Sequence, residues 1–432
     1  MKPRTNPPLR GRIEVPGDKS ISHRALMLAA LAAGDSELTG LNVGHDVLAT
    51  ARAIGALGAT VGVDAATTHA TIRSPGAEGL TEPHDVIDAG NSGTTLRCLL
   101  GVAAGVEGVT VLTGDESLRG RPMLRVVAPL RQLGASIDGR DHGDRAPLAV
   151  RGGRLRGAEV EISVASAQVK TAVLLAGLRA SATTTVISPG PSRDHTERML
   201  RAAGGQVSGD GSSVSVEPGT LRPQRMRVPG DVSSAAFLAV AALLVEGSEL
   251  TIEGVGLNPT RTALFDVLRE MGARLEVQVT GEESGEPVGT IRASHSQLRG
   301  TEVDPRVIPF LIDEIPVLAV AASQADGTTS IAGAEELRIK ESDRLAALSD
   351  SLSSLGAAVQ ERPDGLVIRG GTVLRGGEVD SAGDHRIALA MAVAGLVASG
   401  PLRVLGWGCV ETSFPEFLDV LGETQGKGWK RS

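Results

Sequence analysis

An α/β fold of two similar domains, each made of three repeated βαβαββ units, follows from three observations. The 432-residue chain is too long for one ordinary core, and two domains of about 200 residues are the natural division. Two long stretches half a chain apart repeat one another. A short helix-ending motif recurs through the whole sequence.

The long repeat is Val15-Pro16-Gly17-Asp18-Lys19-Ser20 against Val228-Pro229-Gly230-Asp231-Val232-Ser233. Each leads into an Ala-rich helix, and then into Gly34-Asp35-Ser36-Glu37-Leu38-Thr39 or Gly247-Ser248-Glu249-Leu250-Thr251. Four further apolar helices follow polar starts at Gly90-Asn91-Ser92-Gly93, Ser166-Ala167-Gln168, Asp313-Glu314 and Gly383-Asp384-His385-Arg386. A β-rich run succeeds each, as in Val109-Thr110-Val111 and Leu402-Arg403-Val404.

The short motif is Leu57-Gly58-Ala59, repeated as Leu133-Gly134-Ala135, Met271-Gly272-Ala273 and Leu355-Gly356-Ala357, with a looser copy at Ala203-Gly204-Gly205. It reads as a helix closed by Gly and followed by a strand. Six units of roughly 72 residues fill the chain, the last truncated after Leu421, and three units sharing buried helices make one domain. The boundaries are 16–228 and 229–432, with 1–15 joining the second domain and hinges near 15–20 and 225–231. The strand near Ile13 is compatible with pairing in either half. A cleft with two hinges follows if it pairs with the second.

Composition narrows the function. Aromatic residues make up 2% and Tyr is absent, which counts against stacking on single-stranded nucleic acid. A formal charge of −8 lacks the basic footprint of nucleic-acid binders. Local Lys and Arg clusters on an acidic protein instead suggest a confined site for a small anion. Cys98 and Cys409 have no metal spacing, and no His pair does, so no metal or other cofactor is expected. The start, Met1 to Arg10, lacks an apolar signal core, and no apolar run reaches about 20 residues. The expectation is a cytoplasmic protein with no membrane or nucleic-acid partner.

The polar clusters sit at helix starts. Lys19, Ser20 and Arg24 combine cations with a helix N-terminus, which already favours an anion, or else mark a solvated, well-capped start. Ser20 and Arg24 share a face, as do Lys340 and Arg344 if one helix carries both. Glu341 lies beside those cations, so its charged form is favoured unless burial opposes it. The run Lys340-Glu341-Ser342-Asp343-Arg344 is equally compatible with a salt-bridged surface. Asp313-Glu314 interrupts an apolar segment and is either a cap or a working base. Arg119 and Arg121 lie in a basic loop, with Arg121 held extended before Pro122. Ser166 with Gln168, and Asp384 with Arg386, are polar starts that caps also explain. Together these clusters suit small polyanionic substrates and acid–base chemistry without a metal.

Read in order, the motifs resemble the 5-enolpyruvylshikimate-3-phosphate synthases (3-phosphoshikimate 1-carboxyvinyltransferases) along almost the whole chain. They are Pro16 to Arg24, Gly90 to Arg97, Arg119 to Pro122, Ser166 to Lys170, Arg193 to Glu197, Ile312 to Glu314, Lys340 to Arg344, and Asp384 to Arg386. The resemblance implies the inverse α/β barrel pair of the enolpyruvyl transferases and a step on the shikimate pathway to chorismate. It implies 3-phosphoshikimate contacts from Lys19, Ser20, Arg24, Ser166, Gln168, Arg193, Asp313 and Lys340. It implies phosphoenolpyruvate contacts from Lys19, Gly93, Arg121, Gln168, Arg344 and Arg386. Asp313 would take the proton of the 5-hydroxyl and Glu341 would protonate the methylene carbon, with Lys19 assisting. No cofactor, a monomer and inhibition by glyphosate are implied as well.

Two departures stand out. Ser166-Ala167-Gln168 replaces the Ser-Ser-Gln of many relatives, placing the chain in another branch, with Arg193 as the compensating group. Glu411-Thr412-Ser413-Phe414-Pro415 lacks the Lys that many relatives carry before Thr-Phe-Pro. The nearest alternative, UDP-N-acetylglucosamine enolpyruvyl transferase, would carry Lys-Asn in place of Lys19-Ser20.

Overall fold

The computed structural model describes residues 6–426. The outermost parts of the expected boundaries, 1–5 and 427–432, lie outside the described residues. The chain forms two compact units. One comprises Gly17–Val228 with Glu282–Glu286; the other comprises the described residues of Met1–Pro16, Pro229–Gly281 and Pro287–Ser432.

The Gly17–Val228 unit contains three four-stranded sheets with one wiring. In the first, Arg225–Arg227 pairs in parallel with Ala33–Thr39, and His69–Pro75 and Thr60–Asp64 follow antiparallel. In the second the order is Ile87–Asp88, Gly108–Thr113, Arg145–Gly152, Ser136–Gly139. In the third it is Glu159–Glu161, Thr184–Ile187, Ser213–Val216, Val207–Asp210. The inner helices Lys19–Leu31, Gly93–Ala104 and Ala167–Gly177 bury nearly every residue. That is what an apolar, Ala-rich helix without a polar face requires. A Cβ at Gly101 would stand 2.0 Å from the Ala172 carbonyl oxygen, so only glycine lets two inner helices approach this closely.

The other unit repeats the plan with losses. Arg10–Glu14 pairs in parallel with Glu249–Gly256, followed by Glu286–Ser294 and Arg274–Glu283. This pairing answers the question left open by the sequence. The fifth repeat has a three-stranded sheet, Thr328–Ile331, Gly365–Arg369 and Ala358–Arg362. Its feeding strand is reduced to isolated bridges, Arg299 to Asp326 and Glu302 to Ser330. The sixth keeps only Gly377–Asp380 beside Leu402–Leu405. Val232–Leu244, Ile315–Gln324 and His385–Gly395 are the buried inner helices of the fourth, fifth and sixth repeats. Each unit has its own continuous apolar core.

The Leu-Gly-Ala motif has a physical cause. Gly58, Gly134, Gly204, Gly272 and Gly356 all have positive φ, between 88° and 105°. In each case the next N–H reaches back to a carbonyl five residues earlier: Ala59 to Ile54, Ala135 to Leu130, Gly205 to Leu200, Ala273 to Leu268, Ala357 to Leu352. That bond closes the outer helix and turns the chain into its strand.

Candidate active site

Each unit gathers polar residues at the starts of its inner helices. In the Gly17–Val228 unit the starts are capped. Asp18 accepts from Ile21 N at 2.9 Å, Ser92 from Thr95 N at 3.1 Å, and Ser166 from Val169 N at 3.4 Å. Capping fixes where the next side chains emerge. Lys19 Nζ lies 3.1 Å from Asp46 Oδ2. Gln168 accepts from Arg97 Nη1 at 2.8 Å and donates to Thr94 Oγ1 at 2.9 Å. Arg121 donates to Asn91 Oδ1 at 2.7 Å, and its backbone is extended before Pro122. Gly93 lies against both cations: a Cβ there would stand 3.2 Å from Arg121 Nη1 and 3.3 Å from Arg97 Nη1.

Arg24 is buried and fully oriented. Nε donates to Thr196 Oγ1 at 2.8 Å, Nη1 to the Ser20 carbonyl at 2.9 Å, and Nη2 to Thr171 Oγ1 at 2.9 Å. Next to these hydroxyls Lys170 Nζ pairs with Glu197 Oε1 at 2.5 Å, both side chains buried. Arg193 is half-buried just before the helix His195–Ala202. That helix is anchored by His195 Nδ1, 2.7 Å from Glu286 Oε1. His23 lies beneath the site, with Nδ1 2.6 Å from Thr50 Oγ1. Burial first, then Lys19 and Arg24, hold His23 well below the usual imidazole range.

The other unit concentrates carboxylates around one guanidinium. Arg344, 1% exposed, bonds Asp384 Oδ2 at 2.7 Å, Asp313 Oδ1 at 3.1 Å and Glu341 Oε2 at 2.5 Å. Burial opposes its charge, yet Asp384, Glu341 and Asp313 together raise its pKa above the usual arginine value. Lys340 Nζ is 3.7 Å and Arg386 Nη2 3.8 Å from Asp313. Arg386 Nη1 also donates to the Asp313 carbonyl at 2.9 Å. Asp384 caps its helix through Arg386 N, so one carboxylate serves both backbone and Arg344.

Several sequence expectations change. Lys340 and Arg344 do not share a helix face: Asp343 caps a helix that begins at Arg344, and Lys340 ends the preceding 3₁₀ turn. They converge instead on Asp313. Asp313 and Glu314 lie in the 3₁₀ turn Ile312–Glu314, and Glu314, at the N-cap of the next helix, makes no side-chain cap bond. The basic loop holds a helical turn, Glu116–Gly120, nucleated by the Asp115 cap. Glu411 is half-buried in the 3₁₀ helix Trp407–Thr412.

Sequence reasoning did not assign roles to Arg97, Thr171, Thr196, Lys170 or Glu197. Arg97 and Lys170 carried a signal, a lone cation inside an apolar helix. Glu314 is buried beside Ser233 and lies 3.6 Å from Arg386. Among the described residues, no group of three or more His, Cys, Asp and Glu could hold a metal ion, and no helix is long and apolar enough to cross a membrane.

Known proteins resemble this chain in sequence and in fold. The family model described as EPSP synthase (3-phosphoshikimate 1-carboxyvinyltransferase) matches residues 3–421. The 3-phosphoshikimate 1-carboxyvinyltransferase of Desulforudis audaxviator is 54% identical over 415 residues, 96% of each chain. That of Thermus thermophilus is 53% identical over 416 residues, again 96% of each. The solved EPSP synthase from Acinetobacter baumannii superposes with a TM-score of 0.88 at 40% identity, covering 98% of this chain and 97% of that one. The enolpyruvyl transferase NikO from Streptomyces tendae matches at 0.78 over 98% of this chain and 96% of that one, and at 19% identity it bears on fold alone.

Proposed function

This chain belongs to the EPSP synthase family, and we propose that the two residue clusters described above carry that family's reaction. The reaction moves the enolpyruvyl group of phosphoenolpyruvate to the 5-hydroxyl of 3-phosphoshikimate and releases phosphate. In our reading Lys19, Ser20, Arg24, Ser166, Gln168 and Arg193 bind 3-phosphoshikimate, with Asp313 and Lys340. Lys19, Gly93, Arg121, Gln168, Arg344 and Arg386 bind phosphoenolpyruvate.

Asp313 takes the proton of the 5-hydroxyl as the oxygen adds to the central carbon of phosphoenolpyruvate. Glu341, carrying a proton once the substrates are bound, gives it to the methylene carbon, which becomes a methyl group in a tetrahedral intermediate. The carbon–oxygen bond to phosphate then breaks. Glu341, now a carboxylate, takes a proton back from the methyl group as the enol ether double bond forms, and the proton held by Asp313 leaves with the phosphate. Such positioned proton transfers contribute roughly 10²–10⁴-fold each. The cations stabilise phosphate and carboxylate charge without moving, which is where most of the barrier reduction arises.

The observation that carries this assignment is the single guanidinium of Arg344 bonded to both Asp313 and Glu341. Two proton carriers fixed to one rigid group suit an addition followed by an elimination. We further propose that the enzyme acts as a cytoplasmic monomer. A coupled phosphate-release assay tests the substrate. Release with phosphoenolpyruvate and 3-phosphoshikimate, and none with UDP-N-acetylglucosamine as acceptor, supports the reading. The reverse outcome overturns it.

A further inference from the structure

We propose that Thr171 and Thr196 are positioning residues for 3-phosphoshikimate: a hydroxyl clamp that orients Arg24 while leaving its full positive charge for the substrate. The inference rests on the assignment of Arg24 to that substrate.

The proton assignment in the clamp is unique. Thr171 Oγ1 donates its only hydrogen to the Ala167 carbonyl at 2.7 Å. It therefore acts as acceptor in its other two bonds, from Arg24 Nη2 at 2.9 Å and from Thr196 Oγ1 at 2.6 Å. Thr196 must be the donor between the two hydroxyls, and its acceptor capacity serves Arg24 Nε at 2.8 Å. With the Ser20 carbonyl on Nη1, three of the five guanidinium N–H groups are spent. The plane of the guanidinium has no freedom left. All three side chains are at most 4% exposed, so water does not substitute for a lost partner.

The partners are chosen for charge as well as geometry. Arg344 is ringed by three carboxylates, which fix it in place for its work with Asp313 and Glu341. Arg24 is held by two hydroxyls and a carbonyl, all neutral. Neutral acceptors orient an arginine without placing an opposing charge beside it. The neighbouring Lys170–Glu197 pair bridges the same two helices one residue along each. It fixes the spacing on which the 2.6 Å hydroxyl contact depends.

Steady-state kinetics on Thr196→Val, Thr196→Ser and Arg24→Gln test the clamp, with thermal midpoints recorded for each. The expected result for Thr196→Val is a KM for 3-phosphoshikimate raised about tenfold, with kcat and the KM for phosphoenolpyruvate within twofold. Thr196→Ser keeps the hydroxyl and should restore the wild-type KM even if its midpoint falls as far as that of the valine variant. Arg24→Gln should raise the same KM far more. If Arg24→Gln leaves that KM unchanged, the site reading itself fails. If Arg24→Gln raises it and Thr196→Val does not, the clamp is refuted. Equal KM values for the serine and valine variants also refute it, because packing alone would then account for Thr196. If Thr196→Val does not fold, Thr171→Val takes its place under the same two criteria, and failure of both to fold refutes a role separable from structure.

Discussion

Asp313 and Glu341 are joined through one guanidinium: Arg344 Nη1 lies 3.1 Å from the first carboxylate and Nη2 2.5 Å from the second. A planar fork holds both oxygens in one frame, which a point charge on a flexible stem does not. Arg344→Lys should therefore lose roughly 10²-fold or more in kcat/KM, read by phosphate release. Its thermal midpoint should also fall, because three carboxylates lose their shared partner.

Removing either proton carrier should affect turnover more than binding. Asp313→Asn and Glu341→Gln are each expected to lower kcat by about 10²–10⁴. Calorimetric titration with 3-phosphoshikimate should still show binding, since the Arg24 cluster is intact in both. Full turnover in either variant would remove that residue from the mechanism.

Gly93 sets the room beside Arg121 and Arg97. An alanine Cβ, 3.2–3.3 Å from two guanidinium nitrogens, obliges both to shift by a few tenths of an ångström. Gly93→Ala should raise the KM for phosphoenolpyruvate a few-fold with stability nearly unchanged. In the unaltered protein glyphosate should compete with phosphoenolpyruvate. Inhibition unaffected by phosphoenolpyruvate concentration would contradict the placement of Gly93.

His23 should make the protein acid-sensitive. Its pKa is depressed in the folded state by burial and by Lys19 and Arg24, so below about pH 6.5 the unfolded chain binds the extra proton. Stability should be flat above that pH and fall below it, towards the lowered folded value. Urea unfolding from pH 5 to 7.5 should show this slope, and His23→Asn should flatten it.

The Lys170–Glu197 pair predicts a double-mutant result. Lys170→Met leaves a buried carboxylate unpaired and should cost about 3–5 kcal/mol in urea unfolding. Adding Glu197→Leu should recover much of that loss, because the apolar pair carries no desolvation penalty.

The six-unit plan was legible because it rests on local chemistry. Leu-Gly-Ala records a bond between an N–H and a carbonyl five residues away, and a sequence shows such a bond directly. The polar helix starts were legible for the same reason. What stayed hidden depends on distant segments. Lys170 and Glu197 lie on the inner and outer helices of one repeat, and their pairing shows only when those helices pack. Glu286 pairs with His195 because a hairpin turn, Glu282–Glu286, clusters with a unit otherwise ending at Val228. Lys340 and Arg344 had helical spacing, but Asp343 caps the helix between them and breaks the face.

The pairing of Arg10–Glu14 with Glu249–Gly256 has a consequence for synthesis on the ribosome. The strand made first must wait until more than half the chain has emerged before its partner exists. The converse holds for Ala33–Thr39, whose neighbour Arg225–Arg227 is the last strand of its unit to appear. An edge strand left waiting invites pairing with other nascent chains. Its sequence, Arg10-Gly11-Arg12-Ile13-Glu14, carries three charges and a single aliphatic residue, the composition that discourages such pairing. The charge of that strand is thus a safeguard for the unfinished polypeptide, and apolar substitutions at Arg10 or Arg12 should show first as lower soluble yield rather than lower activity.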